Sequence, residues 1–196
     1  MTARIPAARP VVLVDANVLY SRVLRDYVLY CADAEIISVV WSKRILREMV
    51  RHLVNKVDGF TDGAGHRLVG AMNRAFPYAQ VDESGPRPSL PSLVTLPDEN
   101  DRHVIEAAIY AGATMLCTFN LKDFPGPLMR GLGCSVASPD ELVEMLVEER
   151  PAAMLKVHRT VVAQLPGATD ESTFRALRRA GAHVAAASIE HLIRDS

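Results

Sequence analysis

Short apolar runs spaced between segments of helical periodicity constrain this chain more than any other feature. Val11–Val14 reads VVLV, wholly apolar and mostly β-branched, and ends directly in Asp15. Such a run, lacking the in–out alternation of a half-solvated strand, predicts a strand covered on both faces, as in a parallel sheet. Similar runs follow at Ile36–Val40, Met115–Phe119 and near Cys134–Ala137. Between the first two lies NVLYSRVLRDYVLYCAD, with apolar residues at helical spacing. After the second, Ser42 is placed to cap a helix over KRILREMVRHLVNKV. A further helix is expected over 59–75, and an Ala-rich helix after the LPDEND segment, ended by Gly112. Ser138 is placed to cap a helix over Pro139–Glu149. Strands alternating with helices predict an α/β fold: three layers, α/β/α, around a parallel sheet of four to five strands.

Residues 82–93 (DESGPRPSLPSL) are rich in Pro, Ser and Gly and read as a loop between two halves of one fold. From Pro151 the pattern is purely helical, interrupted at Pro166 and Gly167, so residues 151–196 read as a helical C-terminal extension of a domain spanning 10–147. A length of 196 residues suits one domain with such an addition. No repeats or low-complexity tracts occur.

Composition mainly excludes. No apolar run approaches the 18 residues of a membrane span. The opening MTARIPAARP leads only into VVLV and Asp15, which does not fit a signal peptide. Cys31, Cys117 and Cys134 are widely spaced, with no CxxC pair, against a disulfide framework or a structural zinc site. A soluble protein of the reducing cytoplasm is expected. The histidines lack HExxH spacing, and no GxxxxGK[ST] loop exists for a P-loop NTPase. Net charge is −1, so any nucleic-acid binding must come from local basic clusters.

The chemistry-bearing residues gather at predicted strand ends and helix starts: Asp15 with Asn17, Glu48, the Asp98-Glu99-Asp101 cluster, and Asn120 with Asp123. Open α/β sheets bind ligands at the C-terminal ends of their strands. Carboxylates converging there would suit a hard cation such as Mg²⁺, which also offsets their mutual repulsion. Singly, each has a plainer reading. Asp15 and Asn17 suit an Asx turn or cap, Glu48 a helix-face ion pair with Arg44 or His52, and Asp98 to Asp101 a helix start favoured by the dipole. Capping does not account for their order along an alternating pattern. Trp41 and Tyr78 are candidates for base stacking or for core packing. Arg175, Arg179 and His183 share one face of the last helix, as a surface or a grip for RNA or a partner.

Taken together, VDANVL after an apolar strand, Ser42 followed by Glu48, Asp101 opening an Ala-rich helix, and TFNLKDF after a later strand resemble the PIN domain. The nearest type is the VapC toxins of bacterial type II toxin–antitoxin pairs, including longer members with a helical C-terminal extension. The resemblance covers roughly residues 10–147. It implies a metal-dependent endoribonuclease, using Mg²⁺ or Mn²⁺, that cuts single-stranded or looped tRNA or rRNA. A cognate antitoxin and a homodimer are the partners it implies. By motif, Asp15, Glu48 and Asp101 take the first three acidic positions. The fourth departs from an acid: Thr118-Phe119-Asn120 leaves either Asn120 or Asp123 to complete the set. Asp15, Asp101 and Asn120 are the implied metal ligands, supported by Asn17, Thr118 and Ser42. By spacing alone, Lys43, Arg47 and Arg51 share one helix face beside Glu48, as a solvated surface or as candidate phosphate contacts. Two rivals remain: a catalytically impaired PIN-fold module that binds RNA or a partner, favoured by Asn120, and a Mg²⁺-dependent phosphatase, disfavoured because Asp15-Ala-Asn17 lacks the second acid of a DxD element.

Overall fold

The computed structural model describes residues 9–81, 90 and 95–195. Among these, four parallel strands form one sheet in the order β2-β1-β3-β4: β1 (Val11–Val14), β2 (Ser38–Val40), β3 (Met115–Cys117) and β4 (Ser135–Ala137). Val12 lies opposite Val39 on one side and Met115 on the other, and Leu116 opposite Val136. The central strand is the wholly apolar one, with Val12, Leu13 and Val14 fully buried. That is the burial an all-apolar run requires. The chain moves outward from β1 to β2, then returns across to β3 and on to β4. The strand order therefore reverses between β1 and β3, and a crevice opens at their C-terminal ends.

The helices are α1 (Ala16–Leu19), α2 (Arg22–Asp33), α3 (Lys43–Lys56), α4 (Asp62–Ala75), α5 (Arg102–Ala111), α6 (Gly126–Gly131), α7 (Pro139–Glu149), α8 (Pro151–Ala163), α9 (Asp170–Arg179) and α10 (His183–Arg194). Their ends follow local chemistry. Ser42, almost fully buried, accepts from the Ile45 N–H at 3.1 Å and starts α3. Ser138 and Glu141 form a reciprocal capping box for α7. Gly112 closes α5 at φ +58, a left-handed position that glycine takes without strain. Between α3 and α4 a Cβ at Gly65 would collide with Val50, so the glycine permits the close approach of these two helices.

Several details differ from the sequence reading: the last helix expected after Gly167 is two, α9 and α10, parted at Gly181, and the run Met115–Phe119 is a strand only over Met115–Cys117. The segment read as one helix over 17–33 is broken at Tyr20–Ser21 into α1 and α2. The buried Arg25 donates to the Leu19 carbonyl at 2.7 Å, supplying a partner to backbone freed at the bend. The second strand begins only at Ser38, although Ile36 and Ile37 before it are buried. Beyond β2, Trp41 pairs with Gln80 in a single parallel bridge, which covers that sheet edge. Trp41 itself is fully buried and donates to Asn73 at 3.0 Å, so it is core rather than a stacking platform. Tyr78, in contrast, is 95% exposed. Of the expected loop over 82–93, only Leu90 is among the described residues, and it is buried.

The C-terminal helices share one continuous hydrophobic core with the sheet. The Tyr27 hydroxyl of α2 lies 2.5 Å from His158 Nδ1 of α8, and His158 Nε2 lies 3.1 Å from Asp170 of α9. Phe174 stacks on the same imidazole with centroids 5.2 Å apart. Asp140 of α7 accepts from the Val184 and Ala185 N–H groups at 3.2 and 2.7 Å, giving α10 a cap that its own Ala182 does not supply. All three cysteines are buried and unpaired. No helix of the described residues is long and apolar enough to cross a membrane.

His158 thus ties the extension to the core through two side-chain partners. Replacing it by leucine keeps the apolar packing but strands the buried Tyr27 hydroxyl. The expected result is a loss of about 1–3 kcal/mol in chemical denaturation, with less than half of that for Asp170→Asn, whose side chain is 55% exposed. Equal stability of His158→Leu and the parent would show that the link contributes nothing.

Candidate functional site

Asp15 stands where β1 ends at the crevice, its backbone N–H donating to the Cys117 carbonyl of β3 at 3.0 Å. The side chain is enclosed and its oxygens are held. The Ala16 N–H donates to Oδ1 at 2.6 Å; Thr118 Oγ1 and Asn17 Nδ2 donate to Oδ2 at 2.7 and 2.8 Å. Asn17 Nδ2 also donates to Thr118 Oγ1 at 2.9 Å, and the N–H groups of Phe119 and Asn120 donate to Asn17 Oδ1 and Thr118 Oγ1 at 3.2 and 3.1 Å. Asn17 and Thr118 therefore form one network that joins the ends of β1 and β3 around a single carboxylate. Burial pushes the Asp15 carboxyl up from its ordinary value; the Thr118 and Ala16 hydrogen bonds oppose this, and the Glu48 charge adds to it. The Asx-cap reading of Asp15 is correct in part, since it does cap α1, but a cap alone does not require Asn17 and Thr118 on the other oxygen.

Asp101 ends a 3-10 turn (Glu99–Asp101) and leads into α5. Asp98 and Glu99 have local roles: Asp98 caps the turn through the Asn100 N–H at 2.8 Å, and Glu99 accepts from the Leu96 N–H at 3.1 Å and pairs with Arg102 at 2.8 Å. Asp101 has no side-chain capping bond. Its carboxyl is pushed up to about 6, first by burial and then by the charges of Asp15, Asp98, Asp123 and Glu48. Asp15, Asp98, Asp123 and Glu48 thus lie near enough for each to act on Asp101. Of the two residues left open for the fourth position, Asp123 contributes such a charge, while Asn120 is exposed and forms the N-terminal boundary of the next 3-10 turn (Leu121–Asp123).

Glu48 projects from α3 and is held by Arg44 at 3.0 Å and by His103 Nε2 at 3.3 Å. Arg44 also donates to the Asn100 carbonyl at 3.4 Å. Glu48 therefore has the helix-face ion pair expected of a plain surface acid, but with Arg44 and not His52, which stacks on Tyr20 at 4.0 Å instead. His103 was not singled out by sequence reasoning. It is the second residue of α5, its Nδ1 is buried without a hydrogen-bond partner, and burial lowers its pKa while Glu48 opposes that shift. Its only sequence signal is its place two residues after Asp101.

Lys43, Arg47 and Arg51 line a groove of about 700 Å³ between α3 and α4, together with Asp62 and His66. None of the site acids lines that groove, so these cations face α4 and not the acidic crevice. Among the described residues no group of three or more His, Cys, Asp or Glu side chains is drawn to ion-coordinating spacing. The donor chemistry nonetheless fits a hard divalent cation: all-oxygen carboxylates, one of them raised by burial and by the repulsion of its acidic neighbours, which a cation would offset. Mg²⁺ is commonly held by one or two carboxylates completed by water and substrate phosphate, and this does not demand a closed protein cage.

The PIN-domain family model matches residues 11–122, more than half of the chain, from β1 through the turn that carries Asn120. The chain belongs to the PIN-domain family, whose members are typically metal-dependent nucleases of the hydrolase class. No curated protein and no solved structure matches it.

The raised Asp101 carboxyl has a consequence for stability without metal. Its ordinary value is 3.8 and its folded value about 6, so the unfolded chain gives up this proton first. Below the lower value both states are protonated and there is no penalty. Between the two values only the unfolded chain is ionised, so the penalty grows as pH rises, and above the higher value it is complete. Asp101→Asn in EDTA is therefore expected to melt above the parent at about pH 7.5, with the gap closing by about pH 4. A gap independent of pH, measured by calorimetry, would count against electrostatic convergence.

Proposed function

We propose that this protein is a metal-dependent endoribonuclease, the toxin of a type II toxin–antitoxin pair, acting on tRNA or rRNA in the cytoplasm. The observation that carries the catalytic part is the Asp15 carboxylate, gripped by Asn17 and Thr118 in the crevice, whose charge acts on an Asp101 carboxyl raised by burial and by neighbouring acids. The toxin part rests on the sequence resemblance and on the helical extension found in longer members of that group.

Asp15, Asp101 and either Asn120 or Asp123 would hold Mg²⁺ or Mn²⁺. When bound, such a cation supplies Lewis-acid activation of water and compensates charge on the phosphodiester. The residues of the chain account for the rest. Asn17 and Thr118 are positioning residues that fix the Asp15 oxygens, so little reorganisation is needed when substrate arrives. Glu48, held from both sides by Arg44 and His103, presents a carboxylate oriented to accept a proton from the attacking water. His103, lying against Glu48, is suited to take part in returning that proton. Ser42 acts at a distance, by starting the helix that carries Glu48.

The test is incubation of purified protein with labelled total tRNA and rRNA in Mg²⁺, Mn²⁺ or EDTA, beside Asp15→Ala and Asp101→Ala. Discrete fragments that need metal are expected, with cleavage falling at least about a hundredfold in each variant. Glu48→Gln is expected to lower the rate by a similar factor, whereas Asn120→Ala separates the two candidates for the fourth position when set beside Asp123→Ala. A folded protein that binds metal and RNA but cuts nothing would point to the binding-module reading.

A further inference from the structure

A second groove, of about 510 Å³, opens beside the crevice and is built jointly by the PIN core and the C-terminal extension. Tyr20 and Arg22, at the bend between α1 and α2, and Phe119 form one wall; Leu165, Ala176 and Arg179 belong to the other. This volume lies in the range of ligand-binding clefts. Phe119 follows Thr118 directly in the chain, and its N–H donates to Asn17, so the ring is anchored to the network that holds Asp15. The ring is nevertheless 37% exposed. Against its edge comes Gly181, at φ +86, where an added Cβ would lie 3.4 Å from the ring. The turn between α9 and α10 is thus shaped to reach the site.

The charges in this groove are also distinctive. On α9, Arg175 pairs with Glu171 and Arg178 with Glu190, but Arg179 makes no ion pair among the described residues. Arg22 is 67% exposed and only 3.9 Å from Asp26, at the outer limit of an ion pair. An apolar floor with aromatic rings, a guanidinium without an ion pair at Arg179 and a loosely paired one at Arg22, whose partner Asp26 also lines the groove, suits single-stranded nucleic acid, and Phe119 links the groove to the Asp15 network. Bases stack on aromatic faces, and arginine takes the phosphates between them. An apolar peptide would leave the arginines without complementary charge.

We propose that this groove holds the single-stranded RNA segment immediately flanking the scissile phosphate, with a base against Phe119 and a backbone phosphate at Arg179. The C-terminal extension then forms part of the substrate site. This inference rests on the nuclease reading, but it is tested separately by binding.

The probe is a fluorescein-labelled, mixed-sequence, single-stranded RNA of about twelve nucleotides, followed by fluorescence anisotropy. It is read with full-length Asp15→Asn in Mg²⁺ and with the otherwise unmodified chain in EDTA. Arg179→Glu and Ala176→Trp, introduced into each, are expected to weaken binding at least about tenfold. Glu148→Ala, on an exposed α7 side chain that lines neither groove, is expected to leave binding unchanged, and thermal melts confirm that each variant folds. Ultraviolet crosslinks are expected at Phe119 or Tyr20. RNA binding that survives both groove variants, or crosslinks confined to the Lys43–Arg47–Arg51 groove, overturns the proposal while leaving the nuclease reading intact. Groove-dependent binding in a protein that never cleaves overturns the nuclease reading alone. Absence of RNA binding in both backgrounds, with an apolar peptide taken up instead, overturns both.

Discussion

The structure depends on a buried carboxylate at the junction of two strands. Asp15 ends β1 with a negative charge that the enclosed crevice disfavours, and the chain answers by aiming three donors at it from Ala16, Asn17 and Thr118. Thr118 lies across the sheet, so this hydrogen bonding fixes how β1 and β3 end relative to each other. The same positions set the start of α1 and the course of the chain through Phe119 and Asn120. A charge that costs stability when buried here organises the elements around it, as functional sites commonly do.

Around that centre the remaining acids come from elements distant in sequence. Glu48 comes from α3, which is positioned by the Ser42 cap, and Asp101 from the turn before α5. Arg44 and His103 join these two elements directly, through Glu48 and the Asn100 carbonyl. Their charges meet at Asp101. A divalent cation would relieve this repulsion, and Mg²⁺ commonly completes one or two carboxylates with water and substrate phosphate.

Much of this was legible in the sequence where a signal was local and periodic. VVLV could only be a doubly covered strand, and Ser42, Gly112 and Ser138 marked helix ends by their own chemistry. Asp15 and Asp101 stood out because strand ends and helix starts can be read from such signals, whereas Glu48, inside α3, was named only through the family motif. Contacts between distant elements were not legible. The break at Tyr20–Ser21 depends on Arg25 reaching Leu19, and the role of His103 on its packing against Glu48 of another helix. The basic stripe of α3 was visible as a helix face, but which neighbour that face met was decided by α4. Likewise Arg179 could not be told from Arg175 and Arg178 until their glutamate partners were placed.

The central claim is that Asp15 and Asp101 together form a divalent-cation site in the crevice between β1 and β3. Paramagnetic Mn²⁺ titrated into isotopically labelled protein tests it most directly, because line broadening reports proximity without requiring turnover. The account predicts selective broadening of the Ala16, Asp101, Arg102 and Asn120 amide resonances, reversed by Mg²⁺ and lost in Asp15→Asn. Broadening centred elsewhere on the chain, or undiminished in that variant, would contradict it.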